Sequence, residues 1–344
     1  MNICLVSNEL LGLHKNGGIG TATSNLAILF AQSGCSVTLL FVGQVNTDQT
    51  EFWVDQYRRL GIELTRIDPD RPNVWPLWLR PSSAVYEYLV QRNFDLILFP
   101  DWQGLGYASV VSKRAGVSFK DTRLAVIAHG PTEWLLDANR RVAQEPIELA
   151  HIHMERLSFA LADSVVSPSR YLLDWLKSHG YSLPNDTRSI PLYLWAEQDL
   201  GRSFATGSAV RVETLAYFGR LEERKGIKLF LEAIVSPALE AESFQVMFLG
   251  KPATLSQSDI DTYLTKRQPW LRQRVEYRCD FDTDQAQEYL IAQGCLAVIP
   301  SLSDNAPCVI SECLNKRIPF IAADAGGISE LIDHRDHDCS NPAP

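Results

Sequence analysis

The chain has 344 residues, with 46% hydrophobic side chains, 21% charged side chains and a formal net charge of -9. That length exceeds one ordinary core and suits two domains, and the composition is globular rather than disordered. The acidic excess is shared about equally by the two halves, so neither offers the basic surface that nucleic acid demands, although a phosphate pocket needs only two or three cations.

The N-terminal half alternates short apolar runs with helical stretches. Residues 2–7 read as a buried strand, 21–33 as a helix ended by Gly34, and 36–42 as a second strand. Residues 95–99, 124–128 and 164–167 read as later strands with helical patterns between them. Such alternation implies a parallel sheet covered by helices on both faces. Over residues 182–213 the pattern dissolves into a segment holding Pro184, Asn185, Asp186, Pro191, Gly201 and Gly207, which suggests a linker. It then resumes, with strands at 214–218, 244–249, 275–277, 296–300 and 320–322 and helices at 226–234, 259–266, 283–293 and 306–315. The fold class expected is α/β, two doubly wound units in tandem: an N-terminal domain over 1–195, a linker over 196–213 and a C-terminal domain over 214–344.

No apolar run approaches the roughly 18–20 residues that span a bilayer. The chain enters its first strand at Asn2 with no basic leader, so no signal peptide is expected. Seven cysteines, at 4, 35, 279, 295, 308, 313 and 339, form no Cys-x-x-Cys pair. They read as reduced, mostly buried thiols of a cytoplasmic protein whose membrane contact is at most peripheral.

In open parallel sheets, ligands bind beyond the carboxyl ends of the strands, so motifs just after strands carry most weight. Lys15-Asn16-Gly17-Gly18-Ile19-Gly20-Thr21 lies between the first strand and the first helix. Its glycines let a ligand approach the backbone, and the helix that follows presents free N–H groups to an anion. Its spacing is not that of the dinucleotide fingerprint, and the bland alternative is an ordinary turn. Arg220 and Lys225 flank Leu221-Glu222-Glu223-Arg224 on a strand-to-helix loop, with Gly226 opening the helix. Two cations beside a helix N-terminus oppose its dipole but can neutralise a diphosphate; the alternative is a solvated charge run. In the stretch from Ser301 to Glu312, Asn305 suits an N-cap, Ala306 opens the helix, and Pro307 fits its first turn. Asp304 would then stand at the mouth, and Glu312 among apolar neighbours, a poor place for an idle charge. The alternative makes one a cap helper and the other a salt-bridge partner. His129 and Asp101 also sit at strand carboxyl ends, and Trp102 and Trp134 on their loops could offer flat faces to a sugar ring. No metal site is read: His151 and His153 would face different ways on one helix, and the polar stretch 333–339 suits a solvated turn.

Taken together, in this order, the loops resemble the family 4 retaining glycosyltransferases of the GT-B fold, over nearly the whole chain. The resemblance implies two Rossmann-like domains facing a cleft, with a nucleotide diphosphate sugar held there. It places Gly17, Gly18 and Gly20 near the donor phosphate and acceptor, and gives the diphosphate to Arg220 and Lys225. The family's Glu-x7-Glu element corresponds to Asp304 through Glu312, with Glu312 on the ribose hydroxyls and Asp304, one methylene short, facing the sugar. Asn305, Ala306 and Pro307 fall on the donor side, His129 near the transferred sugar, and Asp101, Trp102 and Trp134 on the acceptor side. Glu330, in a Gly-Gly-x-x-Glu-Leu segment, falls near the nucleotide end or is structural. The activity implied is transfer of a hexose-type sugar to a glycan or lipid-linked glycan, with retained configuration and no cofactor or metal ion. A sugar-nucleotide epimerase and a non-catalytic nucleotide-sugar-binding module stay open as alternatives. The family continues with a helical stretch whose last helix crosses back to the first domain; this chain stops soon after Leu331, in Asn341-Pro342-Ala343-Pro344, as in a truncated C-terminal domain.

Overall fold

A computed structural model describes residues 1–13, 17–45, 50–69, 75–191, 212–239 and 244–333. The chain divides into two compact units, Met1–Trp195 and Ala196–Pro344. Most of the expected linker, and His334 through Cys339 of the polar stretch, lie outside the described residues, as do Lys15 and Asn16.

The first unit runs β1 (Asn2–Ser7), α1 (Gly18–Gln32), β2 (Ser36–Val42), α2 (Thr50–Arg59), β3 (Ile62–Ile67), α3 (Arg80–Leu89), β4 (Leu96–Pro100), α4 (Tyr107–Arg114), β5 (Arg123–Ile127), α5 (Thr132–Ala138), α6 (Pro146–Leu161), β6 (Ser164–Ser167), α7 (Arg170–Ser178) and β7 (Thr187–Ser189). Its strands form one parallel sheet ordered β3-β2-β1-β4-β5-β6-β7. The second unit runs β8 (Thr214–Phe218), α8 (Ile227–Ile234), β9 (Gln245–Leu249), α9 (Gln257–Arg267), β10 (Val275–Arg278), α10 (Thr283–Ala292), β11 (Leu296–Ile299), α11 (Cys308–Lys316) and β12 (Phe320–Ala322). These strands are again all parallel, ordered β10-β9-β8-β11-β12.

Both sheets are buried on two faces, and the two-residue period of a strand shows it. In β1, Ile3 and Leu5 join one apolar cluster with Ala27, Ile28 and Tyr57 of α1 and α2. Cys4 and Val6 join another with Val85, Leu89 and Val110 of α3 and α4. In the second sheet, Ala216, Phe218, Met247 and Leu249 pack against α10 and α11, while Tyr217, Val246 and Phe248 pack against α8 and α9. Near-continuous apolar strands follow from this double cover. The helices begin on side-chain caps where the sequence supplies them: Ser256 and Asp259 close a capping box on α9, and Asp282 and Gln285 one on α10.

Several elements depart from the sequence reading. Strands β3 and β7 lie at the edges, where a strand need not be apolar throughout. Ile62-Glu63-Leu64-Thr65-Arg66-Ile67 alternates, and Thr187-Arg188-Ser189 sits within the turn-rich stretch taken for linker. Helix α1 starts at Gly18 rather than Thr21, so Gly18 and Gly20 lie in its first turn and Gly17 is its N-cap. Helix α11 starts at Cys308, with Pro307 as an extended N-cap; Asn305 and Ala306 belong to the turn before it rather than to its cap and first turn.

Phe248 is fully buried, stacked on Tyr277 at 5.3 Å and edge-on to Phe230 at 5.6 Å. Phe248→Ala should destabilise the second unit by about 3–5 kcal/mol. The measurement is the urea midpoint of its unfolding transition; an unmoved midpoint would contradict this packing.

Candidate active site

In the second sheet the strand order reverses between β8 and β11, and the loops after these two strands meet there. The loop after β8 is pinned from below: the buried Tyr217 hydroxyl lies 2.7 Å from the Arg220 carbonyl and 3.2 Å from that of Lys225. It is also pressed onto the loop after β11. Gly226 has φ 74°, and a Cβ there would come within 1.8 Å of the Pro300 carbonyl oxygen. Only glycine satisfies both demands. The Leu302 N–H donates to the Arg224 carbonyl at 2.8 Å and the Gly327 N–H to the Asp304 carbonyl at 2.9 Å, so a third loop joins the assembly.

The charged side chains of these loops form one network. Asp304 is buried; one oxygen accepts from Lys225 Nζ and, at 3.2 Å, from the Ser301 hydroxyl. Its other oxygen accepts from Arg224 Nη1 at 3.1 Å. Arg224 also donates to the Ser303 carbonyl at 3.1 Å and reaches Glu222 at 3.3 Å. Arg220 pairs with Glu222 at 2.9 Å, its side chain 52% exposed, against 16% for Lys225 and 5% for Arg224. Burial alone would raise the Asp304 carboxyl, but Lys225 and Arg224 outweigh it and hold it below the ordinary range. Asp304 therefore does not stand at the mouth: it is the inward counter-ion of two cations. The alternative weighed for Glu222, Glu223 and Arg224, a solvated charge run, does not hold, because Glu222 and Arg224 are buried. A 3₁₀ turn over Glu223–Lys225 turns neighbouring side chains different ways, which adjacency in sequence does not reveal.

Glu312, in the second turn of α11, is buried, and burial pushes its carboxyl up to about 7, opposed by a hydrogen bond from Gln287 of α10. Gln287 was not singled out in the sequence. Asn305 and Pro307 are buried, Ala306 is half-buried, and Glu330 is exposed in the 3₁₀ turn Ser329–Leu331.

In the first unit, the carboxyl ends of β4 and β5 are organised by two buried acids. Asp101 has no exposed surface and accepts from the backbone N–H groups of His129 at 3.1 Å and Gly130 at 3.0 Å. Glu155 of α6, equally buried, accepts from the N–H of Gln103 at 2.9 Å and from the N–H and hydroxyl of Thr132 at 2.8 and 2.7 Å. Asp101 is thus no acceptor-side contact; it fixes the turn that carries His129. Burial raises Asp101 to about 7, against which its backbone hydrogen bonds act, and raises Glu155 to about 8, reinforced by the charge of Asp101. Burial lowers His129 to about 4, so its imidazole is neutral at pH 7. Trp134 is also corrected. It lies in α5 rather than on a loop, is buried, donates from Nε1 to the Tyr171 hydroxyl at 3.3 Å and packs over Gly130. Trp102 is half-buried in the 3₁₀ turn after β4. The Gly17 N–H donates to Glu9 at 3.1 Å. Glu155 escaped the sequence reading because its partners lie 23 and 52 residues away; its one signal is a position beside Met154 on the buried face of α6. Among the described residues, no three His, Cys, Asp or Glu side chains cluster as metal ligands, and no helix is long and apolar enough to cross a membrane.

Residues 16–191 match the sequence model described as Glycosyltransferase Family 4, and residues 212–343 match Glycosyl transferases group 1. A protein of Bacillus subtilis (strain 168) described as a teichuronic acid biosynthesis glycosyltransferase, TuaC, is 33% identical over 122 residues, 35% of this chain and 27% of that protein. The match thus spans about a quarter of that relative. Among solved structures, sucrose-phosphate synthase of Thermosynechococcus elongatus superposes with a TM-score of 0.68 at 18% identity, covering 96% of this chain and 82% of the other. The catalytic domain of starch synthase IV of Arabidopsis thaliana, bound to ADP and acarbose, superposes at 0.65 and 15% identity, covering 99% and 86%. These structures share the fold, two parallel sheets each flanked by helices.

The raised carboxyls have a sign that can be measured. An acid whose folded pKa exceeds its unfolded value costs stability as pH rises between the two. The chain should therefore lose stability from the ordinary values of 3.8 and 4.5 up to about 7 and 8 for Asp101 and Glu155, with Glu312 adding to the loss up to about 7. Thermal melting at pH 5 and pH 8 should show this fall, and Glu155→Gln should flatten it. An equal fall in wild type and variant would contradict the assignment.

Proposed function

As the chain belongs to glycosyltransferase family 4, we propose that it moves a hexose-type sugar from a nucleotide diphosphate sugar to a glycan or lipid-linked glycan, retaining configuration and without a metal ion. The observation that carries this reading is the loop from Gly219 to Gly226. It sets an exposed Arg220 and a Lys225 paired only with Asp304 among the contacts described at the switch point of the second sheet. The starch synthase structure with bound ADP supports a nucleoside diphosphate as the class of leaving group.

In this reaction the bond between the anomeric carbon and the phosphate oxygen breaks, and the nucleoside diphosphate leaves with the bonding electrons. The acceptor oxygen forms the new bond on the same face, and its proton passes to the departing phosphate. Negative charge grows on that phosphate, so Arg220 and Lys225 lower the barrier by being in place beforehand. Arg224 stays on Asp304 while Lys225 turns to the phosphate, so no buried carboxylate is left uncompensated. Glu312 serves the ribose hydroxyls, and the backbone of Asn305, Ala306 and Pro307 borders the donor. His129, neutral, offers a hydrogen bond to the sugar rather than a second positive charge beside a developing oxocarbenium ion.

Arg220→Ala and Lys225→Ala should each raise the barrier by about 2–4 kcal/mol, roughly thirtyfold to a thousandfold in turnover. Calorimetric titration of the wild type with UDP, GDP and ADP in EDTA should single out one base, and both variants should weaken that binding. Intact binding and turnover in both variants would overturn the assignment.

A further inference from the structure

At the carboxyl edge of the first sheet, one amide pair takes no part in the chemistry above. Asn8 follows β1 and Gln103 follows β4, and these neighbouring strands flank the point where the order of the first sheet reverses. Ligands of doubly wound sheets lodge at such points. Asn8 Nδ2 donates to Gln103 Oε1 at 3.3 Å. Asn8 Oδ1 is sequestered and has no hydrogen-bond partner among the described residues. A sequestered polar atom of this kind is uncommon in a folded protein and calls for a donor. Turning both amides over reverses the bond between them and again leaves one polar end of Asn8 unmet.

The backbone under this pair is held in an unusual state. Gln103 has φ 59° and ψ 14°, the left-handed region that side chains other than glycine avoid. Its N–H is fastened by Glu155, and the same carboxylate fastens Thr132, three residues past His129. A buried carboxylate thus holds the backbone that carries the Gln103 side chain and ties it to the turn that carries His129. Strain maintained in this way is common where a side chain must meet a ligand.

Resting on the transferase reading, we propose that Asn8 and Gln103 form a fork that binds neighbouring hydroxyls of a pyranose in the acceptor. A hydroxyl both donates and accepts, so it suits the pair whichever way the amides are turned; because the unmet end of Asn8 is closed to solvent, the hydroxyl reaches it by parting Asn8 from Gln103. Two carboxamides side by side present alternate donors and acceptors, the pattern that adjacent ring hydroxyls complement. On the transferase reading Arg220, Lys225 and Glu312 serve the diphosphate and ribose of the donor and His129 its sugar, so this pair falls to the acceptor.

The test uses the full chain and three probes, the methyl glycosides of glucose, galactose and mannose, followed by saturation-transfer NMR. At least one should bind the wild type, and Asn8→Ala and Gln103→Gly should each weaken it by about tenfold, the scale of one hydrogen bond. Gln103→Gly accepts the positive φ, so it removes the side chain without breaking the turn. A deoxy form of the preferred glycoside, lacking one contacted hydroxyl, should bind the wild type about as weakly as the parent binds the variants, and should lose nothing further in them. The proposal is overturned if no glycoside binds the wild type, or if both variants bind like it. Parallel titrations with UDP, GDP and ADP should be unchanged in both variants; failure of the wild type to bind any of these would count against the donor reading alone, because the glycoside readout needs no nucleotide.

Discussion

The second unit depends on one buried carboxylate. Asp304 is taken out of water between β8 and β11, and that is tolerable only because Lys225, Arg224 and Ser301 all donate to it. To reach it, the loops after β8 and β11 must lie against each other, which requires Gly226 where Pro300 presses and Gly326 where the Asp304 backbone passes. Tyr217 then fixes the loop that carries the cations from beneath. The acid is thus less a reagent than the anchor that decides where Lys225 and Arg220 stand. Three cations against two acids leave a local positive excess, the electrostatic condition for holding an anion.

The first unit solves a related problem with the opposite sign. Asp101 and Glu155 are buried with no cation among their described partners, so they satisfy backbone N–H groups instead, and their pKa values rise where that of Asp304 falls. Together they fix His129, Gly130, Thr132 and Gln103. In both units, then, buried acids set the shape of loops at strand carboxyl ends, and the side chains open to a ligand belong to other residues.

Much of this was legible in the sequence, and the misses have physical reasons. The buried central strands announce themselves as apolar runs, whereas β3 and β7, at sheet edges, are half polar and brief. The cation loop was placed by its position after a strand, but adjacency of Glu222, Glu223 and Arg224 left a solvated charge run open as the alternative; a 3₁₀ turn separates their directions. Asp101 was noticed for its place at a strand end, and its inward direction depends on N–H groups 28 and 29 residues away. Trp134 stands so soon after Pro131 that it reads as a loop residue, yet α5 begins at Thr132 and carries it into the core. Local pattern locates strand ends well. Which way a polar side chain turns there is decided by partners distant in the chain.

The most direct test is a structure of this chain with a nucleoside diphosphate bound. The account requires the phosphate oxygens within hydrogen-bonding distance of Arg220 and of Lys225 Nζ, with Arg224 still donating to Asp304. A diphosphate bound elsewhere, or bound while Lys225 remains on Asp304 and Arg220 on Glu222, would contradict it.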